Sequence, residues 1–295
     1  MIVLRRWKQL TLSFMVGFAA LGSGFTGLHG TEVSAAANAV PTYEVKFLAK
    51  PETVLENGES LRSEVIQAFG LAAVPQAIGV AYYDTDNLEL DAEGWNVRFR
   101  KKEDKDNYEL TYKKRYPIVN GDINAALSLA NQEGFDASDD NYEAEIDWGY
   151  GKQTLSFSNT KKISTNTTGT TLPSEQDALA LLLDKLPGKL KKWSSPNWGE
   201  QKLSQSRIHG PLTFYRYEGS WNGQKMSLEV WPIRNADGTG TENLIEISFK
   251  TSDVSVASQL RSELMDTLES NGWLLPMDGL KTQLILERYY AKKTC

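Results

Sequence analysis

The sequence holds a single cysteine, Cys295, at its last position. No disulfide can form within the chain, so a fold of this size must be held by its own core. Histidine is almost as scarce. Of the two, His29 falls in a leader-like segment, which leaves His209 alone in the remainder. A histidine-rich zinc site or a Ser-His-Asp hydrolase has too little to be built from. The G-x-x-x-x-G-K-[ST] phosphate loop is absent, and so is any internal repeat at a fixed period. Long apolar runs are missing too. The run from Leu10 to about Phe25 is short for a membrane span and is broken by Gly17, Gly22 and Gly24.

That run has a different reading. Arg5, Arg6 and Lys8 precede it, and Ala35-Ala36-Ala37-Asn38-Ala39 follows it. A basic start, an apolar middle and a small-x-small end predict a cleaved secretory signal over residues 1–39, with a mature chain from near Val40. No cysteine follows the run, so a lipid anchor is excluded. Without residues 1–39 the chain carries 29 basic against 37 acidic side chains, more acidic than the net −6 of the whole. So acidic a domain is a poor general nucleic-acid binder, because phosphate neutralisation dominates that affinity. An exported chain without cysteine pairs is expected at the secreted or cell-envelope exterior of a Gram-positive bacterium, with no stable membrane span after leader removal.

What the sequence has in plenty is alternation. Glu44 and Lys46 oppose Tyr43, Val45 and Phe47; Arg98 and Arg100 oppose Val97 and Phe99; Glu109 and Lys113 oppose Tyr108, Leu110 and Tyr112. Glu143, Glu145 and Asp147 oppose Ala144 and Ile146, Glu229 opposes Leu228 and Val230, and Glu246 and Lys250 oppose Ile245, Ile247 and Phe249. Period two predicts strands in these segments, and further strands near 203–208, 212–218 and 283–290. Helical spacing predicts helices over Gly58 to Phe69, after the caps Asp122 and Ser174, and a long one from Asp253. Ser158 to Pro173, rich in Thr, Asn and Ser, reads as a flexible loop or linker. One charged face per strand fits a solvated antiparallel sheet, and it fits equally a barrel with a polar lumen.

Three consecutive pieces separate the two. They are Ala81-Tyr-Tyr-Asp-Thr-Asp-Asn-Leu88, Gly94-Trp-Asn-Val-Arg98-Phe-Arg100 and Tyr108-Glu-Leu-Thr-Tyr-Lys113, with Glu44-x-Lys46 upstream. In order and spacing this set resembles the CYTH (triphosphate-tunnel) family, clearly from Thr42 to Lys113 and more faintly beyond. The resemblance implies an α+β, mostly β fold: an antiparallel eight-stranded closed tunnel with helices packed outside, spanning residues 40–295. It implies a polyanionic phosphate ligand, with Lys46, Arg98, Arg100, Lys113, Arg207 and Lys281 as phosphate-binding residues. It also implies magnesium or manganese on Glu44, Glu229 and Glu246, with Glu145 as a catalytic, water-orienting base. The chemistry suits the types: guanidinium forks and ammonium groups bind phosphate oxygens, and hard cations take carboxylates.

Departures from the pattern touch catalysis. Thr42 stands at the first glutamate of the E-x-E-x-K strand, Ser248 at the second acid of the late E-x-E strand, and Asn141 where an arginine precedes the acidic pair. Two functions stay open on the tunnel. One is a metal-dependent hydrolase of a terminal phosphate; the other is a non-catalytic extracellular binding protein. A solvated-face envelope or adhesion protein is the third possibility.

Overall fold

The computed structural model describes residues 36–279 and 281–289. The expected leader lies outside the described residues up to residue 35. Nine long strands form where the alternation placed most of them: β1 Thr42–Ala49, β2 Gln76–Asp84, β3 Trp95–Lys102, β4 Asn107–Ile118, β5 Glu143–Trp148, β6 Gln153–Ser164, β7 Arg207–Trp221, β8 Gln224–Arg234 and β9 Thr241–Thr251. They pair in the order β9-β8-β7-β2-β3-β4-β6-β5-β1, and β9 pairs again with β1 to close the barrel.

The tunnel class is as the sequence implied, but its count and direction differ. Strands that alternate up and down can close a ring only in even number. With nine, one neighbouring pair must run parallel, and here it is β1 with β5, Glu44 standing opposite Asp147. The extra strand comes from β5 and β6, a hairpin of which only β6 pairs with β4.

Helices cover the outside. Helix α1 (Ile123–Gln132) and α2 (Glu175–Asp184) are capped by the Asp122 and Ser174 side chains, as the sequence predicted. With α3 (Trp198–Ser204) they bury Ala126, Leu127, Ala178, Leu182 and Leu203 on the outward residues Val97, Phe99, Leu110, Tyr112 and Phe157. Helix α4 (Val254–Ser270), capped by Asp253, lays Ala257, Leu260, Leu264 and Leu268 on Val45, Phe47, Leu228, Ile247 and Phe249. Each leucine, valine, isoleucine or phenylalanine among them contributes about 1.5–3 kcal/mol when fully buried, so the charged inner face is held by an apolar outer one.

Three expectations are corrected. The segment 203–208 is not a strand: α3 runs to Ser204 and β7 begins at Arg207. The stretch from Ser158 is strand until Ser164, paired with β4, and its continuation is docked. The Thr167 hydroxyl lies 2.8 Å from that of Tyr108, and the Thr170 backbone lies against Gly79, where a Cβ would meet its carbonyl oxygen at 2.1 Å. The segment 283–290 is α5 (Lys281–Arg288), because its buried residues Thr282, Ile285 and Leu286 follow helical, not strand, spacing. Helix α5 closes one end of the barrel. Ile285 and Leu286 pack on Ile78, Val80, Leu212, Phe214, Trp231 and Ile233, which share their strand face with Tyr82, Arg216 and Glu229. The inner face is thus apolar at one end and charged at the other.

Candidate functional site

Above this plug the barrel encloses a cavity of about 410 Å³. Among the described residues nine cationic and seven acidic side chains line it, so a chain that is acidic overall holds a cavity of net positive charge. The lining falls into two groups of different character.

The first group is an alternating ring of six charges. Lys46 Nζ is 2.6 Å from Asp147 and 3.9 Å from Glu44. Lys113 Nζ is 3.4 Å from Asp147 and 3.6 Å from Glu145. Lys250 closes the ring, donating to Glu145 and standing 3.8 Å from Glu44. The parallel pairing of β1 and β5 is what assembles it, since it sets Thr42 beside Glu145 and Glu44 beside Asp147 on one face. Burial would raise the Asp147 carboxyl, but Lys113, Lys46 and Arg115 outweigh it and hold it well below the usual range. Glu44 goes the other way. Burial, then the charge of Glu145, push it up to about 7 against the pull of Lys46 and Lys250. At Glu44, therefore, burial and a like charge outweigh the nearby ammonium groups.

The second group is cationic. Glu229 accepts from Arg216 at 2.6 Å, from Trp231 Nε1 at 2.8 Å and from Lys281, which also reaches Glu246 at 2.7 Å. Burial opposes the ionised form of Glu229, but Lys281, Arg216 and Arg100 hold its carboxyl well below the ordinary value. Arg98 and Arg100 stand beside these pairs on β3. Neither makes an ion pair with a carboxylate among the described residues, and the Nε of each is buried without a hydrogen-bond partner. Burial and the neighbouring Arg98 and Arg216 lower Arg100 to about 9, so it stays charged at neutral pH. Buried donors left unpaired cost free energy, and acceptor oxygens from outside the protein would relieve it.

Of the residues singled out from sequence, Glu44, Lys46, Arg98, Arg100, Lys113, Glu145, Glu229, Glu246 and Lys281 all line this one cavity. Arg207 does not. It sits 41% exposed at the first residue of β7, outside the cavity lining, paired with Asp86. Its inner counterpart is Arg216, nine residues on along the same strand. Sequence reasoning passed over Arg216, Arg115 and the pairing role of Asp147.

The carboxylates expected to hold metal do not form one group. Glu229 and Glu246 are taken up by Arg216 and Lys281, whereas Glu44 converges with Glu145 and Asp147, one oxygen of each lying within 4.8 Å of the others. Three hard oxygen donors, one of them raised to about 7 by burial and then by the charge of Glu145, fit a magnesium- or manganese-sized cation by chemistry. Its holders would be Glu44, Glu145 and Asp147.

No family model matches the sequence, and no curated protein is similar to it. Solved structures are. A candidate adenylyl cyclase from Hippeastrum, described as having a dominant triphosphatase activity, is 13% identical, with 83% of this chain and 94% of that one covered at a TM-score of 0.46. A candidate adenylate cyclase from Bacillus halodurans is 16% identical, with 85% and 98% covered at 0.47. Another from Vibrio parahaemolyticus is 10% identical, with 84% and 99% covered at 0.42.

Proposed function

We propose that the chain binds a polyphosphate-type anion inside the barrel, with Arg98 and Arg100 as its principal seat. The observation that supports this reading is the pair of guanidiniums on β3, buried at Nε and without a carboxylate partner among the described residues. Arginine forks bind two phosphate oxygens each, and Lys113 and Arg115 on the neighbouring strand β4 extend the cationic surface. Lys281 stands at the plugged end, though Glu229 and Glu246 already engage it. Tyr82 adds an aromatic side chain to the lining.

A divalent cation, magnesium or manganese, would be held by Glu44, Glu145 and Asp147. When bound it would supply Lewis-acid polarisation of phosphate oxygens and a more acidic water. The protein's own part is to hold the anion in line, to keep carboxylates from repelling it, and to accept a proton at a carboxylate of the ring. Hydrolysis of the terminal phosphate is the second reading, and Glu145 on the inner face supports it. The third, a solvated charged face on an envelope protein, loses its premise because Arg98, Arg100 and Lys113 converge in one cavity. The basic, apolar and small-residue leader supports action at the secreted or envelope exterior, and amino-terminal sequencing of the exported protein should begin near Val40.

Thermal melting with tripolyphosphate, in parallel with phosphate release in magnesium or manganese, tests the reading. Stabilisation with release marks a hydrolase; stabilisation without release marks a binding protein. If tripolyphosphate gives neither, the cavity has been misread.

A further inference from the structure

The three ammonium groups of the ring are not equivalent. The side chains of Lys46 and Lys113 are 20% and 13% exposed, and both are anchored on the buried Asp147. That of Lys250 is 58% exposed and has no contact with Asp147. Its Cα is fixed opposite Glu44 by the pairing of β9 with β1, and its Nζ bridges Glu44 and Glu145 on their solvent side. Among the three carboxylates, these two lack a fully committed inner partner, since Lys46 and Lys113 stand 3.9 Å and 3.6 Å from them. Lys250 therefore holds the place where a cation would approach the acidic group, and it carries the same sign of charge. A long solvated stem can swing away at little cost, which the two buried lysines cannot do without abandoning Asp147.

We propose that Lys250 is a gate on the acidic group. In the free protein its ammonium excludes divalent metal from Glu44, Glu145 and Asp147; when a polyanion occupies the cavity, the ammonium turns to phosphate oxygens and the carboxylates open. This rests on the polyphosphate reading of the cavity and adds a binding order to it. Metal and anion become linked ligands, each raising the affinity for the other by the same factor, as linkage requires. Lys250 is on this account a specificity-determining residue: it keeps the barrel from filling with free metal and reserves the carboxylates for metal that arrives with anion.

The test is a manganese titration followed by electron paramagnetic resonance, without any anion, on the full protein. Three variants are compared with it: Lys250→Met, Lys250→Arg and Lys105→Met. Lys105 is 54% exposed, pairs with Asp104 and changes net charge equally from outside the cavity lining. The gate predicts that Lys250→Met binds manganese about tenfold more tightly or better, the usual scale of a coupling between two sites. Lys250→Arg should stay as weak as the parent, and Lys105→Met should move by less than about twofold, as expected of a solvated surface pair. Equal manganese affinity in the parent and Lys250→Met overturns the gate, and so does an equal rise in Lys105→Met. Tripolyphosphate binding by the parent separates the two failures: if it persists, only the gate falls, and if it is absent, the reading of the cavity falls with it.

Discussion

Glu44 and Asp147 stand opposite each other across the parallel joint of the barrel, on neighbouring strands that run in the same direction. They share Lys46, yet they titrate in opposite senses. Asp147 is drawn down by Lys113, Lys46 and Arg115 against its burial, whereas burial and Glu145 lift Glu44 to about 7. Nearby cations thus outweigh burial at one carboxylate and do not at its neighbour.

That contrast fixes a pH dependence. Glu44 is an acid whose folded value lies above its ordinary one, so the folded state binds the extra proton between about pH 4.5 and 7. Stability from this group is present at the acid end and is lost as the pH rises through that window. Glu44→Gln, which imitates the protonated form, should match the parent near pH 5 and exceed it near pH 8 by on the order of 1–3 kcal/mol. Urea unfolding at both pH values checks it; a variant less stable at pH 8 contradicts the sign.

Asp147 and Glu229 run the other way. Both are depressed, so their stabilisation is present above the usual carboxylate range and disappears only as the pH falls through their low folded values. Replacing Glu229 by Gln leaves Arg216 and Lys281 with less counter-charge in a largely buried place. A loss of about 3–5 kcal/mol is expected, as for breaking a buried pair. Thermal unfolding should show it directly, and an unchanged melting temperature would mean that the cationic group does not depend on Glu229.

Arg100→Met separates stability from binding. The guanidinium is buried beside Arg98 and Arg216 without a carboxylate of its own, so its removal should leave the free protein as stable or more so. Tripolyphosphate-induced stabilisation should shrink, by about 10- to 100-fold in affinity for the loss of charge-assisted hydrogen bonds. A variant that melts lower yet keeps its anion response would reverse the assignment.

Arg207→Ala is the negative control that the fold supplies. Its exposed pair with Asp86 is worth at most about 1 kcal/mol, and its side chain lies outside the cavity. Anion binding should be unchanged in calorimetry, and any loss beyond twofold would extend the site to the start of β7.

Much of this site was legible in period two. Glu44, Lys46, Arg98, Arg100, Lys113, Glu145, Glu229 and Glu246 each sit on the charged phase of a strand, and a closed barrel turns that phase inward. Arg216 escaped because the inner face of β7 changes character along its length. Leu212 and Phe214, packed on the plug, share its phase and make that phase look like the apolar side. Lys281 reaches the cavity from the start of a helix and not from a strand, since Thr282, Ile285 and Leu286 bury at helical spacing. Strand direction leaves no mark on alternation, so the parallel joint, and with it the convergence of Glu44 with Asp147, had no signature in the residues themselves. Thr42, at a position where the resemblance expects a glutamate, lines the same cavity beside Glu145.

The measurement that bears most directly on the account is calorimetric titration of tripolyphosphate into the full protein and into Arg98→Ala at neutral pH with magnesium present. One saturable site in the parent, lost or weakened by about tenfold or more in the variant, is the predicted result. Equal binding by both proteins, or no heat from the parent, would contradict a polyphosphate seat at Arg98 and Arg100.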